Sequence, residues 1–420
     1  MLRLYIVGHN FIDELGQITT SSEKMDDSSS VNNKLNKLLS IVREHLGMEV
    51  AFISQFINNT RVFKTVDAKD NISPININDS DPINETYCAK IVDNELPNII
   101  HDTKYNKITS KLAITDKLSI GSYIGVPIKL STGETYGTIC CFKYSADDTL
   151  NLRDLSFFKA IADIAAELIE TKHLIELNYN EVRMRIISVI ESNEIEIYYQ
   201  PIIDLLSNKI IGFESLSKFN ATPYQSPDIW FAEASKVDLG EKLEMMAIKN
   251  AIKGSFEFKD DTYLSINTSP EYVLNGAVAR ALDGVNLKRI ILEVTEHTPI
   301  KNYSGFRDAL KPLREQGMRL AIDDAGSGYS SFQHVLELEA DIIKLDITLT
   351  QNIHSNPKKY LLVKALCVFS KAIHCSIIAE GVETVEELDS LRELGVDSVQ
   401  GYLLGHAMPI KEAVAYVKPL

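Results

Sequence analysis

The sequence lacks any apolar run close to the roughly 20 residues that a membrane-spanning helix needs. It also lacks an excess of positive charge, since 43 Lys and Arg face 58 Asp and Glu and the net charge is −15. This balance argues against broad binding to nucleic acid or anionic membranes. The N-terminal run Met1 to Val7 is too short for a signal peptide and has no cleavage site. We therefore expect a cytoplasmic protein without a membrane span or a nucleic-acid partner.

Cysteine is scarce, with five residues and no Cys-x-x-Cys spacing. An odd number without such spacing is typical of reduced thiols in a cytoplasm. We interpret the adjacent Cys140 and Cys141 as core residues of a strand rather than a redox pair. The chain also lacks a Gly-rich phosphate loop of the P-loop or Rossmann kind.

A length of 420 residues is enough for two domains and a linker. Residues 16–32 are polar and Ser-rich, so we expect residues 1–32 to form a partly flexible lead-in. A predicted helix and strand follow. After a loop-rich section, strand-like runs at 122–130 and 135–142 are joined by a Ser-Thr-Gly turn, which predicts a hairpin.

This order of elements, with Gly125-Val126-Pro127-Ile128 and Tyr136-Gly137-Thr138-Ile139-Cys140-Cys141, resembles a GAF domain over residues 33–172. The resemblance implies an α+β fold with helices on one side of an antiparallel sheet. In many relatives a pocket for a small molecule lies opposite, and its ligand here is unknown. The pocket candidates, for which packing or loop capping is an equally open alternative, are Tyr87, Cys88, His101 and Asp102.

No Pro or Gly occurs from Leu152 to Ser192, and apolar residues recur there at helical spacing. The pattern predicts one long helix, or two helices with a break near residues 178–180, and we assign residues 173–192 to a helical linker. Two ordinary helices packed on their own domains, and a dimeric signalling helix that couples the two halves, both stay open. The apolar repeat is not a strict heptad.

Residues 193–420 are close to the size of a (β/α)₈ barrel, typically about 250 residues. Short apolar runs alternate there with amphipathic segments, which predicts parallel strands with helical crossovers. The predicted strands are 195–199, 210–216, 263–267, 289–294, 319–323, 342–346, 376–379 and 396–400.

Polar residues fall at or near the C-terminal ends of these runs. In a barrel those ends make one face, and that face carries the chemistry. Any one of these residues could cap a helix, but corresponding positions on seven runs indicate a site. The residues are Glu214, Asn267, Glu293, Asp323 with Asp324, Lys344, Glu380 and Gln400.

Asp323 and Asp324 are adjacent, and neighbouring side chains on a regular strand point to opposite faces. They can converge only where the strand breaks, which we expect the following glycines, Gly326 and Gly328, to allow. Two carboxylates this close repel each other unless a positive group lies between them. A set of carboxylates plus an amide, without His or Cys, suits Mg²⁺ or Mn²⁺.

The second half resembles the EAL family of cyclic di-GMP phosphodiesterases over residues 185–420. The family fold is a modified barrel with one antiparallel strand, so the first two runs are expected to form a hairpin. The matching motifs are Tyr199-Gln200-Pro201-Ile202, Glu214-Ser215-Leu216, Ser265-Ile266-Asn267-Thr268-Ser269-Pro270, Glu293-Val294-Thr295-Glu296, residues 323–331, Ile343-Lys344-Leu345-Asp346, residues 379–383 and residues 400–405.

The resemblance implies two metal ions, Mg²⁺ or Mn²⁺, in each active site. Glu214, Asn267, Glu293 and Asp323 would hold the first ion, and Asp323 would bridge to a second that Asp324 helps to hold. The implied reaction is hydrolysis of cyclic di-GMP to linear pGpG.

Other roles are also implied by the resemblance alone. Lys344 would be a fixed cation beside the attacking water, Glu380 a general base or a support for the metal ligands, and Gln400 a group that orients the water. Glu296 would hold the loop from Asp323 to Ser331 in place.

Gln200, Leu216 and Lys218 match family positions that contact the substrate. Lys218 stands where relatives usually carry an Arg, and Lys lacks the bidentate fork of Arg. Ser215 replaces a common Ala, and Ala325 replaces a common Phe.

We expect a metal-dependent phosphodiesterase that is regulated by its GAF half and forms a homodimer, with a possible unknown small ligand at the GAF domain. The alternative is a non-catalytic receptor that binds cyclic di-GMP and signals through its shape.

Overall fold

The computed structural model describes residues 28–295, 300–325 and 331–416. The contacts divide the chain into two compact units, Met1–Asn180 and Glu181–Leu420. None of the described helices combines the length and the apolar character needed to cross a bilayer.

The described part of the first unit contains a six-stranded antiparallel sheet in the order β3-β2-β1-β6-β5-β4. The predicted hairpin is confirmed, because β5 and β6 pair directly. The strands are β1 (Val50–Ile57), β2 (Thr60–Ala68), β3 (Ser80–Pro82), β4 (Ile99–Ile100), β5 (Ser122–Lys129) and β6 (Thr135–Lys143), and the helices are α1 (Ser28–His45), α2 (Tyr87–Val92) and α3 (Ala113–Lys117), with short 3₁₀ turns at Lys69–Asn71, Ile83–Glu85 and Thr109–Lys111.

Side chains alternate between the two faces of this sheet, as the pleat requires. Ala51 and Cys141 face the apolar side of α1, which packs through residues such as Leu38. Phe52 and Cys140 face the opposite layer, formed with α2 and α3. Helix α1 begins at Ser28, within the segment predicted to be a flexible lead-in, while residues 1–27 lie outside the described ranges.

Helix α4 (Leu152–Ser192) runs for 41 residues without the break considered near residues 178–180. The division between the two units falls within it. Its last turns carry Val182, Ile186 and Val189, which are buried in a cluster with Phe219 and Trp230. The sequence pattern places the start of the second domain at residue 193. The second unit of the structure begins upstream of that position, at Glu181.

The second unit is a closed barrel. Strands β8 to β14 are parallel, and β7 runs antiparallel between β8 and β14 and closes the ring. The predicted barrel with one antiparallel strand and an initial hairpin is confirmed. The strands are β7 (Ile195–Asp204), β8 (Lys209–Phe219), β9 (Tyr263–Asn267), β10 (Ile290–Thr295), β11 (Arg319–Ala325), β12 (Ile342–Leu345), β13 (Ser376–Ala379) and β14 (Ser398–Val399), and β15 (Met408–Pro409) pairs with β7.

Helices cover the outside of this barrel and bury a continuous apolar core against it. They are α5 (Pro227–Lys236), α6 (Gly240–Ser255), α7 (Pro270–Leu274), α8 (Ala277–Ala281), α9 (Tyr303–Arg314), α10 (Ser331–Leu338), α11 (Ile347–Thr350), α12 (Pro357–Ala372), α13 (Val385–Leu394) and α14 (Ile410–Ala415), with 3₁₀ turns at Leu287–Arg289 and Ile353–Ser355.

The end of α4 gives a first prediction. Ile186 is 0% exposed, whereas Met184 on the same helix is 66% exposed. We expect Ile186→Ala to lower the free energy of unfolding by about 2–5 kcal/mol, because it opens a cavity. The chain has a single tryptophan, Trp230, whose ring lies in this cluster 5.2 Å from that of Phe219.

Urea unfolding followed by tryptophan fluorescence therefore reports on this cluster. The matched control is Met184→Ala, which we expect to change the midpoint little. Equal midpoints for the two variants would contradict the assignment of these turns to the second unit.

Candidate active site

Strand register aligns the predicted site residues at one end of the barrel. Glu293 lies opposite Asn267 across the β9–β10 pair. Glu214 lies on β8 and Asp323 on β11, while Lys344 lies on β12. Since these strands are parallel, their C-terminal ends meet at one mouth. Glu380 and Gln400 follow directly after β13 and β14 and join the same group.

Lys344 lies at the centre of this group and is 0% exposed. Its Nζ is 2.8 Å from Glu293 Oε2, 2.8 Å from Glu380 Oε1, 3.1 Å from Asp323 Oδ1 and 3.5 Å from Glu214 Oε1. Burial alone would lower the pKa of Lys344, but these carboxylates raise that pKa well above its usual value. This ammonium therefore places one positive charge among Glu293, Glu380, Asp323 and Glu214.

The acidic residues form two clusters that share Asp323. Oxygens of Glu214, Glu293 and Asp323 lie within 4.8 Å of one another, and so do oxygens of Asp323, Asp324 and Glu380. A residue that belongs to both clusters is positioned to bridge two bound cations.

The convergence of Asp323 and Asp324 involves a backbone feature that the sequence analysis did not include. Asp324 itself adopts a left-handed backbone conformation, with φ of 58°. The pairing of β11 with β12 shifts register between Ile322 and Ala325. The strand thus breaks at Asp324, ahead of the glycines, and this turns both carboxylates toward Glu380. Gly326 and Gly328 lie outside the described residues.

Four carboxylates surround one ammonium, so negative groups are in excess. Burial raises the pKa of Glu293 well above its usual value, and burial raises the pKa of Glu380 to about 8. The pKa of Glu214 is lowered, because the charge of Lys344 and donated hydrogen bonds outweigh its burial. A compact, buried set of hard oxygen donors with excess negative charge fits Mg²⁺ or Mn²⁺.

Amide side chains complete the mouth. Gln400 Nε2 donates to Glu214 Oε2 at 2.6 Å and to Gln200 Oε1 at 2.9 Å. Asn267 Nδ2 donates to Glu214 Oε1 at 3.0 Å, and the side chain of Asn267 is otherwise exposed at the strand end. Gln400 Oε1 is buried and has no hydrogen-bond partner among the described residues. An acceptor is thus available beside the carboxylates.

The predicted substrate-binding residues take different positions. Gln200 is buried and donates to the carbonyl of Gly405 at 3.1 Å. Leu216 and Lys218 follow Glu214 at alternate positions of β8, so they share its face. Lys218 is exposed, and its Nζ lies 3.3 Å from the hydroxyl of Tyr198. Glu296, predicted to hold the Asp323 loop, lies outside the described residues.

Sequence reasoning missed Glu244, which supports the loop after Asn267. Glu244 lies on α6 and accepts hydrogen bonds from Thr268 Oγ1 at 2.7 Å and from Ser269 N and Oγ at 2.8 and 2.7 Å. It is 9% exposed, and burial raises its pKa. A signal was present, because Glu244 falls on the apolar stripe of α6 beside Leu243 and four residues before Ile248.

Two serines also support the carboxylates. Ser265 Oγ donates to Glu293 Oε1, and Ser265 is fully buried on β9. Ser215 Oγ donates to the Ser265 carbonyl at 2.8 Å. The Ser that replaces Ala in the signature triplet therefore makes a buried hydrogen bond that an Ala at this position could not make.

The pocket candidates of the first unit separate into two groups. Tyr87 and Cys88 are buried in the layer beneath α2. His101 contacts the Asp147 carbonyl through Nδ1 at 3.0 Å, and Asp102 accepts from the Lys104 backbone at 2.9 Å. The latter two hold loops, which is the alternative left open for them.

A family model for the EAL domain matches residues 152–407, more than half of the chain. The chain belongs to the EAL family. A GAF domain model matches residues 28–170, so a GAF domain precedes the EAL domain.

The chain is 29% identical over 230 residues to the probable cyclic di-GMP phosphodiesterase PdeD of Escherichia coli, covering 52% of this chain and 43% of that protein. It is 29% identical over 242 residues to the cyclic di-GMP phosphodiesterase PdeB of Shewanella oneidensis, covering 54% of this chain and 28% of that protein. The solved PaMucR phosphodiesterase in complex with c-di-GMP is 25% identical with a TM-score of 0.50, covering 56% of this chain and 99% of that one. The chain spans only 28% to 34% of the first curated relatives it matches.

Glu244 gives a second prediction. Glu244→Ala leaves three donors on Thr268 and Ser269 without their acceptor, which frees the loop that carries Asn267. Loss of a partner that orients a metal ligand typically costs about 10–100-fold in metal affinity. We expect a Mn²⁺ affinity lower by that factor, measured by isothermal titration calorimetry on the full chain.

The control is Glu241→Ala on the same helix, where the exposed carboxylate binds Asn275 Nδ2 at 2.8 Å. If both variants bound Mn²⁺ as the parent does, Glu244 would have no role in positioning Asn267. A melting curve for each variant separates loss of metal affinity from loss of the fold.

Proposed function

We propose that this EAL domain hydrolyses cyclic di-GMP to linear pGpG, with two Mg²⁺ or Mn²⁺ ions in its active site. The observation that carries the proposal is the pair of carboxylate clusters that share Asp323 at the mouth of the barrel. The names of the curated relatives support the same substrate.

Glu214, Asn267, Glu293 and Asp323 would hold one ion, and Asp323 with Asp324 would hold the other. When bound, the ions lower the pKa of water and stabilise the charge that grows on the phosphate. The clustering of these oxygens within 4.8 Å, around a buried cation that cannot balance them all, supports this assignment.

The remaining residues position water and substrate. Lys344 holds a fixed positive charge among the carboxylates, and Glu380 is the proposed proton acceptor or support for the metal ligands. Gln400 uses its free Oε1 to accept a hydrogen bond from the attacking water, while its Nε2 holds Glu214. Glu296 is proposed to hold the Asp323 loop.

Substrate contacts are assigned to Gln200, Leu216 and Lys218. The hydroxyl of Tyr198 accepts a hydrogen bond from Lys218 and raises the pKa of its ammonium, which therefore stays charged for a phosphate. A single ammonium provides charge without the bidentate geometry of Arg.

The third prediction tests hydrolysis directly. Glu214→Ala and Asp323→Ala should each lower kcat with Mg²⁺ by more than about 100-fold, the upper end for residues that only support a metal ligand. Linear pGpG is measured by chromatography, and Asp283→Asn, which changes an exposed carboxylate, is the control.

Two results would contradict the proposal in different ways. Undiminished hydrolysis in both Ala variants would overturn the site assignment. Tight binding of cyclic di-GMP by the unchanged chain without any turnover would instead establish the alternative, a receptor that signals through its shape.

We also propose that the GAF domain regulates hydrolysis, with a small ligand of unknown identity as its signal. The proposed arrangement is a cytoplasmic homodimer in which a sensor, a helical linker and a hydrolase follow one another. Helix α4 contains residues of both units, and the burial of its last turns in the cluster around Trp230 supports coupling.

The fourth prediction compares the full chain with a protein limited to residues 181–420, which keeps the buried turns of α4. We expect kcat for cyclic di-GMP to differ several-fold between the two proteins, because the shorter one lacks the GAF domain that is proposed to act on hydrolysis through helix α4. Identical kcat and KM values, with both proteins folded by circular dichroism, would remove the basis for regulation.

A further inference from the structure

Cys88 and Cys140 lie in contact inside the GAF domain. Their Sγ atoms are 3.8 Å apart, although 52 residues separate them in the chain. Cys88 lies on the short helix α2 and Cys140 on β6, and both are fully buried. A disulfide requires sulfurs that can approach to about 2.05 Å. The two sulfurs are therefore less than about 2 Å farther apart than in a disulfide.

Polar groups surround this pair within an otherwise apolar layer. Arg61 Nη1 lies 3.5 Å from Cys88 Sγ, and the Tyr123 hydroxyl lies 3.4 Å from the same sulfur. Cys140 Sγ lies 3.2 Å from Thr138 Oγ1. Structural cysteines in a core are usually enclosed by apolar side chains, so a guanidinium at the sulfur is a distinct arrangement.

Arg61 is held as a buried cation. It is 2% exposed, its guanidinium lies 4.2 Å from the ring centroid of Phe63, and it pairs with Asp81. Asp81 is shared with Lys117 at 3.0 Å, so it does not belong to Arg61 alone. Arg61 Nε has no hydrogen-bond partner among the described residues. The positive charge of Arg61 is therefore directed in part at Cys88.

The two sulfurs consequently differ in chemistry. Burial opposes ionisation of Cys88, but the hydrogen bond from Cys140 and the charge of Arg61 outweigh it and lower the pKa of Cys88 well below its usual value. Burial and the neighbouring Cys88 raise the pKa of Cys140 well above its usual value. A thiolate is the reactive form of cysteine, and here its neighbour remains a thiol.

We propose that Cys88 and Cys140 are a redox modification site that closes to a reversible disulfide when the protein meets a peroxide. The Cys88 thiolate attacks one peroxide oxygen, the O–O bond breaks, and hydroxide leaves from hydrogen peroxide. Cys140 sulfur then attacks the Cys88 sulfenic acid, the S–O bond breaks, and water leaves. Two thiols lose two electrons in total, and one peroxide is reduced.

Cys88 is fully buried, so peroxide reaches it only through local opening. Helix α2 spans only Tyr87–Val92, and we expect so short a helix to open locally more readily than a central strand. Hydrogen peroxide is small and uncharged. Closure to a disulfide removes the thiolate beside Arg61 and leaves Asp81 as its ion-pair partner, so the reaction changes the charge balance of this layer. This inference does not depend on the proposed hydrolase activity.

Cys141 supplies a matched control. It is as deeply buried as its neighbour Cys140 but faces the opposite side of the sheet, in the cluster with α1. Burial raises the pKa of Cys141 beyond that of an ordinary thiol. Cys367 and Cys375 lie in the other unit.

The experiment treats the reduced full chain with hydrogen peroxide under native conditions. Remaining thiols are then blocked, and peptides are mapped by mass spectrometry without reduction. We expect Cys88 and Cys140 peptides joined with loss of both thiol hydrogens, and separated again by dithiothreitol. Cys88→Ser and Cys140→Ser should abolish this species, while Cys141→Ala should leave it intact. Melting curves establish that each variant is folded.

The unchanged protein tests the inference without any variant. A mapped Cys88–Cys140 link in the folded chain supports it. Absence of that link under native peroxide, its appearance only in denaturant, or irreversible sulfonic acid at Cys88 would each overturn it. Arg61→Lys keeps a positive charge but loses the planar guanidinium that contacts Cys88. We therefore expect the Cys88–Cys140 disulfide to form more slowly in that variant.

Discussion

The ammonium of Lys344, enclosed by carboxylates from three strands and from the residue after a fourth, is the interaction on which the second unit depends. Charges removed from water must be paired, because an unpaired buried ion is costly. One ammonium cannot pair with every acidic group around it. The barrel therefore holds a buried site with an excess of acidic groups, and its strand register keeps these groups at one height. The serines at 215 and 265, the amide of Gln400 and the helix residue Glu244 all hold carboxylates or their loops in place.

The barrel and its mouth could be predicted from sequence for a physical reason. Apolar runs separated by amphipathic segments define parallel strands, and the C-terminal ends of parallel strands meet. Placing Glu214, Glu293 and Lys344 together therefore required no contact information. The antiparallel first strand was predictable only through resemblance to the EAL family, since its local pattern is that of any buried strand.

Other features depend on tertiary contacts or on one backbone torsion, and local pattern does not specify them. The left-handed turn at Asp324 belongs to a residue type that commonly prefers other conformations, so the glycines nearby were the more obvious choice. Cys88 on a short helix contacts Cys140 on a strand 52 positions further along the chain. Nothing in the local sequence around either cysteine indicates that the two are neighbours. The fit of Ile186 beneath Trp230 could be recognised only once the end of α4 was seen inside the barrel unit.

The burial of the last turns of α4 in the cluster around Trp230 has a consequence for exchange of the sensor domain. In a chimeric protein that replaces the GAF domain with a foreign receptor, the splice point has to lie before Glu181. A graft placed at residue 193 would remove Val182, Ile186 and Val189 from the cluster around Trp230 and leave an uncovered apolar surface on the EAL domain. An exchange of sensor domains during evolution would have to keep the same residues, because the last turns of α4 pack within the second unit and do not act as a simple linker.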